Sequence, residues 1–328
     1  MSDLIVGIAC HGFSSEAEIS MKSAQTVMTV LSEHYPAVFL LKITQKQWSV
    51  IDPKGIELPL PIGRFEFEHQ GQQKRFSVIF NALHGSPGED GKLAAALDLA
   101  AIPHTSCDPY TAGLTFNKRD CIAIARRIGV PTAASVTLDE GETLNKSHFL
   151  AEVGFPCFVK ANRAGSSFGV FKVHNQMELD DCLPKAFEED SQLIIEKHLE
   201  GREVSVGVLR MGGKITVLPI TEIISENDFF DYAAKYEGKA QEITPADLPQ
   251  DWTKKVSELA TTIYDKMGLK GLTRSEFIFV EGIPHLLEIN TVPGMTAASI
   301  IPQQCAAAEI PLGTLFRSMI ESALQRNP

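Results

Sequence analysis

Four side chains suited to chemistry, Arg274, Glu276, Glu288 and Asn290, lie within the short stretch 271–294. A hairpin looped at Glu281, Gly282 and Ile283 sets Glu276 opposite Glu288 and Arg274 opposite Asn290. Strand side chains alternate between faces, so these four share one face, while Phe277, Phe279, Leu287 and Ile289 make a core surface on the other. Two carboxylates placed directly opposite repel. A hard divalent cation relieves that repulsion, and carboxylate and Asn oxygens are ligands that Mg²⁺ accepts alongside phosphate and water. An exposed sheet face with adventitious charges accounts poorly for an Arg, two Glu and an Asn on one patch. The Pro293-Gly294 turn that follows can aim backbone N–H groups at an anion, although taken alone it is an ordinary tight turn.

A second group surrounds the stretch FVKANRAGSSFG, residues 158–169. A small-residue hairpin carrying exposed N–H groups and the hydroxyls of Ser166 and Ser167 can fold over a triphosphate, with Lys160 neutralising charge from the adjoining strand. It is not a Walker A loop, because the Lys-Ser/Thr ending is missing, and a lone Gly-Ser loop is usually just a flexible hairpin. Lys118 falls inside an expected helix, where a solvated lysine is the default. Residues 15–18, SEAE, fit a capping box that puts Glu16 in the first turn of a helix, where the dipole favours its charged form. A plain first-turn acid is the commoner case.

The elements that must position these groups alternate between strand and helix in the first third. Residues 4–9, 37–43 and 76–83 read as strands, 16–32 and 92–101 as helices, and 84–91 as a glycine-rich loop at a strand end. This rhythm predicts a small parallel sheet with its functional loops at the strand C-termini. Near Ser106 the pattern changes. A helix is expected over 111–128, closed by Gly129 and Pro131. Two strands over 155–173 and a third over 193–199 follow, then a hairpin of 204–209 with 214–223 around Gly212 and Gly213. The polar segment 225–249 is too long for a simple connection, which marks it as a functional lid. A helix over 251–267, two strands and a terminal helix complete the chain.

With 328 residues and ~150 per domain, about two domains are expected, with three small ones allowed. Acids outnumber bases 41 to 30, a formal charge of −11, which disfavours nucleic acid or an anionic membrane surface as partner. No apolar run approaches the ~20 residues of a membrane span, and the first nine residues lack the basic start of a signal peptide. Six scattered cysteines without a CxxC pair fit a reducing cytosol and argue against a zinc ribbon or a disulfide frame.

In order along the chain, SSEAEIS (14–20), LHGSPGEDG (83–91), FVKANRAGSSFG, EKHLEGRE (196–203), AAKY (233–236), TRSEF (273–277) and LLEINTVPGMT (286–296) resemble the motifs of ATP-grasp ligases, and more narrowly of the D-alanine–D-alanine ligase family. The resemblance runs nearly end to end. It implies an α/β fold with α+β lobes: an N-terminal Rossmann-like pre-ATP-grasp substrate domain at 1–106, a central ATP-grasp lobe at 107–199, and a C-terminal lobe at 200–328 bearing the metal and catalytic residues. It further implies ATP-driven joining of two D-alanines through an acyl phosphate, for peptidoglycan precursors, in the cytoplasm. Lys118, Lys160 and Lys235 would meet the ATP phosphates, with Ser167 in the loop over them. Glu196, Leu199 and Glu203 would bind adenine and ribose, and Lys197 and Leu287 would complete the nucleotide site. Glu276, Glu288 and Asn290 would hold two Mg²⁺ ions, with Mn²⁺ able to substitute. Arg274 and the Gly294 N–H would stabilise the oxyanion. Glu16, Ser166 and Tyr236 would form a hydrogen-bonded triad around the first D-alanine, Ser299 would hold the carboxylate of the second, and His84 would stand on the substrate side.

Two positions depart from the family. Glu276 stands where Asp is usual, one methylene longer, and His198 replaces a more usual aromatic or aliphatic residue in the adenine hinge. The Tyr236 hydroxyl favours an amine acceptor, since relatives that use D-lactate generally carry Phe there. A ligase with another acceptor, and an inert nucleotide-binding module, are the alternatives; the latter should lack some of Lys160, Arg274, Glu288 and Asn290. The family is commonly dimeric, and composition neither supports nor opposes a homodimer.

Overall fold

The first strand, Ile5–His11, lies inside a five-stranded sheet, flanked in parallel by Ala37–Ile43 and Val78–Asn81. A computed structural model describes residues 4–165, 169–225 and 240–326. Helix Ala17–Ser32 connects the first two parallel strands. Its buried positions Ser20, Ser23, Ala24, Val27 and Leu31 recur at three- and four-residue intervals, which lines them up as one stripe against the sheet. The expected parallel arrangement holds for these three strands only. Two antiparallel strands, Trp48–Ile51 and Glu57–Leu60, extend the sheet beyond Ala37–Ile43, and Glu66–His69 pairs with Gln72–Arg75 as a separate hairpin.

A four-stranded sheet follows, ordered Val170–Val173, Cys157–Ala161, Gln192–Lys197, Ser135–Asp139. Helices Lys146–Glu152 and Gln176–Phe187 cover it through Phe149 and Leu179. The largest sheet runs Ala240–Ile243, Thr221–Ser225, Arg202–Met211, Thr273–Val280, Ile283–Asn290, with Lys214–Val217 also on Arg202–Met211. Helix Gln250–Lys266 packs on it, as do Pro109–Phe116 and Lys118–Arg127.

Three expectations give way here, and a fourth, the lid, falls largely outside the described residues. The single helix over 111–128 is two, parted at Asn117, whose extended backbone ends the first while its side chain accepts from Asp120 N–H to cap the second. Lys118 therefore opens a helix rather than lying within one. The strand expected over 214–223 breaks at Pro219, which has no N–H to give a ladder: 214–217 pairs with 208–211, and Thr221, Glu222 and Ile223 pair with Ser205, Val204 and Glu203. Within the segment expected as a lid, 240–243 is a strand on Thr221–Ser225, and 226–239 lie outside the described residues. The terminal helix is also two, Ile300–Ala307 and Leu312–Leu324, separated where Glu309 adopts φ 56° and Pro311 precedes the second.

That last helix returns to the N-terminal sheet. Phe316 meets Phe80 edge-on at 5.2 Å between ring centroids, and Leu315 and Ile320 join Ile8, Val27 and Leu31 in one core. Truncating a buried aromatic such as Phe316 costs about 3–5 kcal/mol, which is what fastens the end of the chain to its beginning. Among the described residues no helix is long and apolar enough to cross a membrane.

Candidate active site

A cleft of about 680 Å³ opens where three walls meet. The first wall is the hairpin of Thr273–Val280 with Ile283–Asn290. Arg274 pairs with Asn290 and Glu276 with Glu288, as a hairpin centred on Gly282 predicts. Nearer the turn the register differs from expectation. The turn has two residues, Glu281 and Gly282, both at positive φ (49° and 76°), with Val280 opposite Ile283. A bulge at Leu287 then restores the expected pairs. The extra residue turns Leu287 into the cleft rather than toward the core, and Leu286 is the buried residue in its stead.

On this wall Arg274 Nε donates to Glu276 Oε1 at 2.6 Å. Glu276 Oε2 is buried without a hydrogen-bond partner, and so is Asn290 Nδ2. An unsatisfied buried polar atom costs about 1–3 kcal/mol, more when charged. A cation between Glu276 and Glu288 would remove that cost for the Glu276 oxygen. Among the described residues no three His, Cys, Asp or Glu side chains form a ready metal site. Two carboxylates and an amide still suit Mg²⁺, which takes only a few protein ligands and keeps phosphate and water oxygens.

The second wall comes from the four-stranded sheet. Lys160 Nζ lies 2.7 Å from Glu196 Oε2 and 5.7 Å from the centroid of the Phe158 ring, which in turn meets His198 at 5.6 Å. Burial works against the charge on Lys160, but Glu196, then Glu288 and Glu203, outweigh it and hold its pKa above the ordinary lysine value. Lys118 Nζ donates to the Ala164 carbonyl at 2.6 Å, tying the helix start to the glycine-rich loop.

The third wall is N-terminal. Glu16 sits at the N-cap of helix Ala17–Ser32, and the expected capping box does not form, because the helix begins one residue later. The Ser14 hydroxyl instead accepts from Glu16 N–H at 3.3 Å. A Cβ on Gly165 would fall 2.7 Å from Glu16 Oε2, so the glycine-rich loop reaches this carboxylate only because residue 165 has no side chain. His84 engages both ring nitrogens within the protein, Nδ1 with Val292 O at 2.8 Å and Nε2 with Ser23 Oγ at 3.0 Å. Its burial holds its pKa below the ordinary histidine value, against the pull of Glu16. The Ser299 hydroxyl meets Thr296 Oγ1 at 2.8 Å beside Gly294.

The cleft gathers Glu16, His84, Lys118, Lys160, Glu196, Lys197, Leu199 and Glu203 with Arg274, Glu276, Leu287, Glu288, Asn290, Gly294 and Ser299. Ser166, Ser167, Lys235 and Tyr236 lie outside the described residues. Two acids in the lining were not singled out by sequence. Glu89 lies in the 84–91 loop, where an acid at a strand C-terminal end is a usable signal. Its Oε2 accepts from Gly85 N–H at 2.8 Å, and burial, then Glu16, push its pKa up to about 8. Glu242, whose pKa is raised by burial, accepts from Gln303 Nε2 at 2.5 Å.

Comparison with known proteins is consistent along the whole chain. The family model described as D-ala D-ala ligase N-terminus matches residues 5–107, and that described as D-ala D-ala ligase C-terminus matches 124–321. A D-alanine–D-alanine ligase of Flavobacterium johnsoniae is 46% identical over 97% of this chain and 99% of its own, and one of Christiangramia forsetii is 46% identical over 98% of each. Among solved structures, the VanG D-Ala:D-Ser ligase of Enterococcus faecalis aligns with TM-score 0.85 at 27% identity, covering 98% of this chain and 100% of that one. The Bacillus anthracis D-alanine–D-alanine ligase complexed with ATP aligns with TM-score 0.79 at 27% identity, covering 98% of both.

Proposed function

Since this chain belongs to the D-alanine–D-alanine ligase family, with its ATP-grasp fold, we propose a mechanism by which its own residues carry out the synthesis of D-alanyl-D-alanine. It is a ligase that uses ATP. The observation that most supports the assignment of roles is the pairing of Glu276 with Glu288 and of Arg274 with Asn290 in a cleft that also holds Lys160 and Glu16.

Lys118 and Lys160 neutralise the triphosphate, with Ser167 and Lys235 closing on it. Glu196, Leu199, Glu203, Lys197 and Leu287 hold adenine and ribose. Glu16, with Ser166 and Tyr236, holds the ammonium of the first D-alanine and so orients its carboxylate toward the γ-phosphate. A carboxylate is a poor electrophile; phosphorylation makes it an acyl phosphate with a competent leaving group. The amine of the second D-alanine, whose carboxylate Ser299 holds, attacks the carbonyl carbon. Arg274 and the Gly294 N–H stabilise the oxyanion of the tetrahedral intermediate, which expels phosphate. Glu276, Glu288 and Asn290 would hold Mg²⁺, as two ions with Mn²⁺ able to replace them, and bound there it would supply charge neutralisation to the transferring phosphoryl group.

The three-part division at 106 and 199 puts the first D-alanine on the N-terminal part and the nucleotide between the other two. The dipeptide serves peptidoglycan precursor synthesis in the cytoplasm, and the protein works as a homodimer, by analogy with its family. The test is phosphate release and product identification with ATP, Mg²⁺ and a panel of D-alanine, D-serine, D-lactate and L-amino acids. D-alanine alone should give the highest turnover and yield D-alanyl-D-alanine. Preference for another acceptor would reassign the second site, and no stimulated release by any pair would overturn the role assignments.

A further inference from the structure

Residue Val292 sits between the proposed metal ligand Asn290 and the proposed oxyanion donor Gly294, and its carbonyl is held by a distant loop. His84 Nδ1 lies 2.8 Å from that carbonyl oxygen. Glu89 braces the loop in turn: its Oε2 accepts from Gly85 N–H at 2.8 Å, and its own N–H donates to Gly85 O at 2.9 Å. On the other side of Gly294, Met295 N–H donates to Ser23 Oγ at 3.3 Å, and that hydroxyl reaches His84 Nε2 at 3.0 Å. A neutral imidazole has one donor and one acceptor nitrogen. Nδ1–H therefore gives to Val292 O, Nε2 takes from the Ser23 hydroxyl, and every link in the chain has a donor and an acceptor.

We propose that Glu89 is a positioning residue which braces the loop at His84 and Gly85, so that His84 and Ser23 clamp the peptide groups around Gly294 and set the oxyanion donor relative to Glu16. This rests on the roles given above to Gly294 and Glu16. The clamp joins residues 208 positions apart, so the turn's own sequence cannot supply it. The same loop contacts the Glu16 side: a Cβ on Gly85 would fall 2.9 Å from Glu16 Oε2. One rigid loop thus touches both the group that holds the first amino acid and the turn that stabilises its oxyanion. Glu16, Glu288, His84 and Arg274 are the charged or titratable groups whose fields meet here. Burial and Glu16 keep Glu89 protonated at neutral pH, which lets a second carboxyl lie beside Glu16 without adding a like charge.

The experiment compares the full-length enzyme with Glu89→Ala and Glu89→Gln, measuring kcat and KM for D-alanine together with Kd for an ATP analogue. Loss of the clamp in Glu89→Ala should lower kcat about 100-fold, the scale of an ångström misplacement, with nucleotide Kd unchanged. Glu89→Gln, which keeps shape and neutrality, should keep kcat within the same order of magnitude as the unmodified enzyme. Unchanged kcat in Glu89→Ala, or a Glu89→Gln as impaired as Glu89→Ala, overturns the proposal. Where Glu89→Ala fails to fold, Glu89→Gln decides: retained turnover supports the clamp and lost turnover overturns it. Absence of dipeptide from the unmodified enzyme would fail the ligase mechanism itself. Normal synthesis by both it and Glu89→Ala would fail only the clamp.

Discussion

The strand pair Cys157–Ala161 with Val170–Val173 and the pair Thr273–Val280 with Ile283–Asn290 both face the cleft, yet they carry their chemistry in opposite places. In the first, the connection reaches the site: Ala164 receives Lys118, and Gly165 lies against Glu16. In the second, the connection is a two-residue turn outside the cleft lining, where Gly282 packs toward Trp252, and the chemistry sits on strand positions paired in register. Their ion pairs differ likewise. Lys160 and Glu196 satisfy each other at 2.7 Å across neighbouring strands, whereas Arg274 takes one oxygen of Glu276 and leaves the other without a partner. In the second pair the spacing of the two like charges is fixed by strand pairing, which tolerates little adjustment; in the first, the contacts are carried by a connection.

Removing the cation of the first pair should have the largest effect. Lys160→Met leaves Glu196 buried and unpaired, which should cost about 3–5 kcal/mol of stability and lower turnover about 10²–10³-fold. The double variant Lys160→Met/Glu196→Gln should regain most of the thermal midpoint but not the turnover. Recovery of both would mean that the pair is structural only. Next comes the connection. Gly165→Ala pushes a methyl group against Glu16 and should raise KM for D-alanine about tenfold with little change in thermal midpoint.

A smaller effect is expected with pH. The folded pKa of Glu89, about 8, exceeds its unfolded value of 4.5, so the native state holds an extra proton between those values and loses stability as pH rises across that window. Above about pH 8 a second negative charge develops beside Glu16, and kcat should decline; Glu89→Gln should flatten this alkaline limb in a pH–rate profile. Smallest for activity is Gly282→Ala. At φ 76° a side chain there should cost about 1–2 kcal/mol in thermal or denaturant unfolding and leave kcat unchanged.

The same contrast explains what could be read from sequence. Strand 37–43 is legible as a short apolar run, and the pairs Arg274–Asn290 and Glu276–Glu288 follow from a hairpin centred on Gly282 with period-two alternation; the structure reproduces all three. The bulge at Leu287 was invisible because it cancels the one-residue shift of the shorter turn, leaving the functional pairs unchanged. Asn117 carried a readable signal, an N-cap residue three places before Asp120, but unbroken helical periodicity on both sides masked it. The short strands at 57–60 and 72–75 are hard to read because ELPL carries a proline in only four residues and QQKR has no apolar residue; pairing, not local propensity, makes them strands. The place of Glu89 depends on how the 84–91 loop folds, with its carboxyl on Gly85 N–H and Gly85 against Glu16, which no local pattern in the sequence displays.

The central claim, that Glu276, Glu288 and Asn290 gather a divalent cation for the nucleotide, is tested most directly by Mn²⁺ titration with a non-hydrolysable ATP analogue, followed by electron paramagnetic resonance. The unmodified enzyme should hold Mn²⁺ in the ternary complex, and Glu288→Gln should weaken that binding about tenfold or more with an unchanged thermal midpoint. Equal Mn²⁺ affinity in the two proteins would contradict the claim.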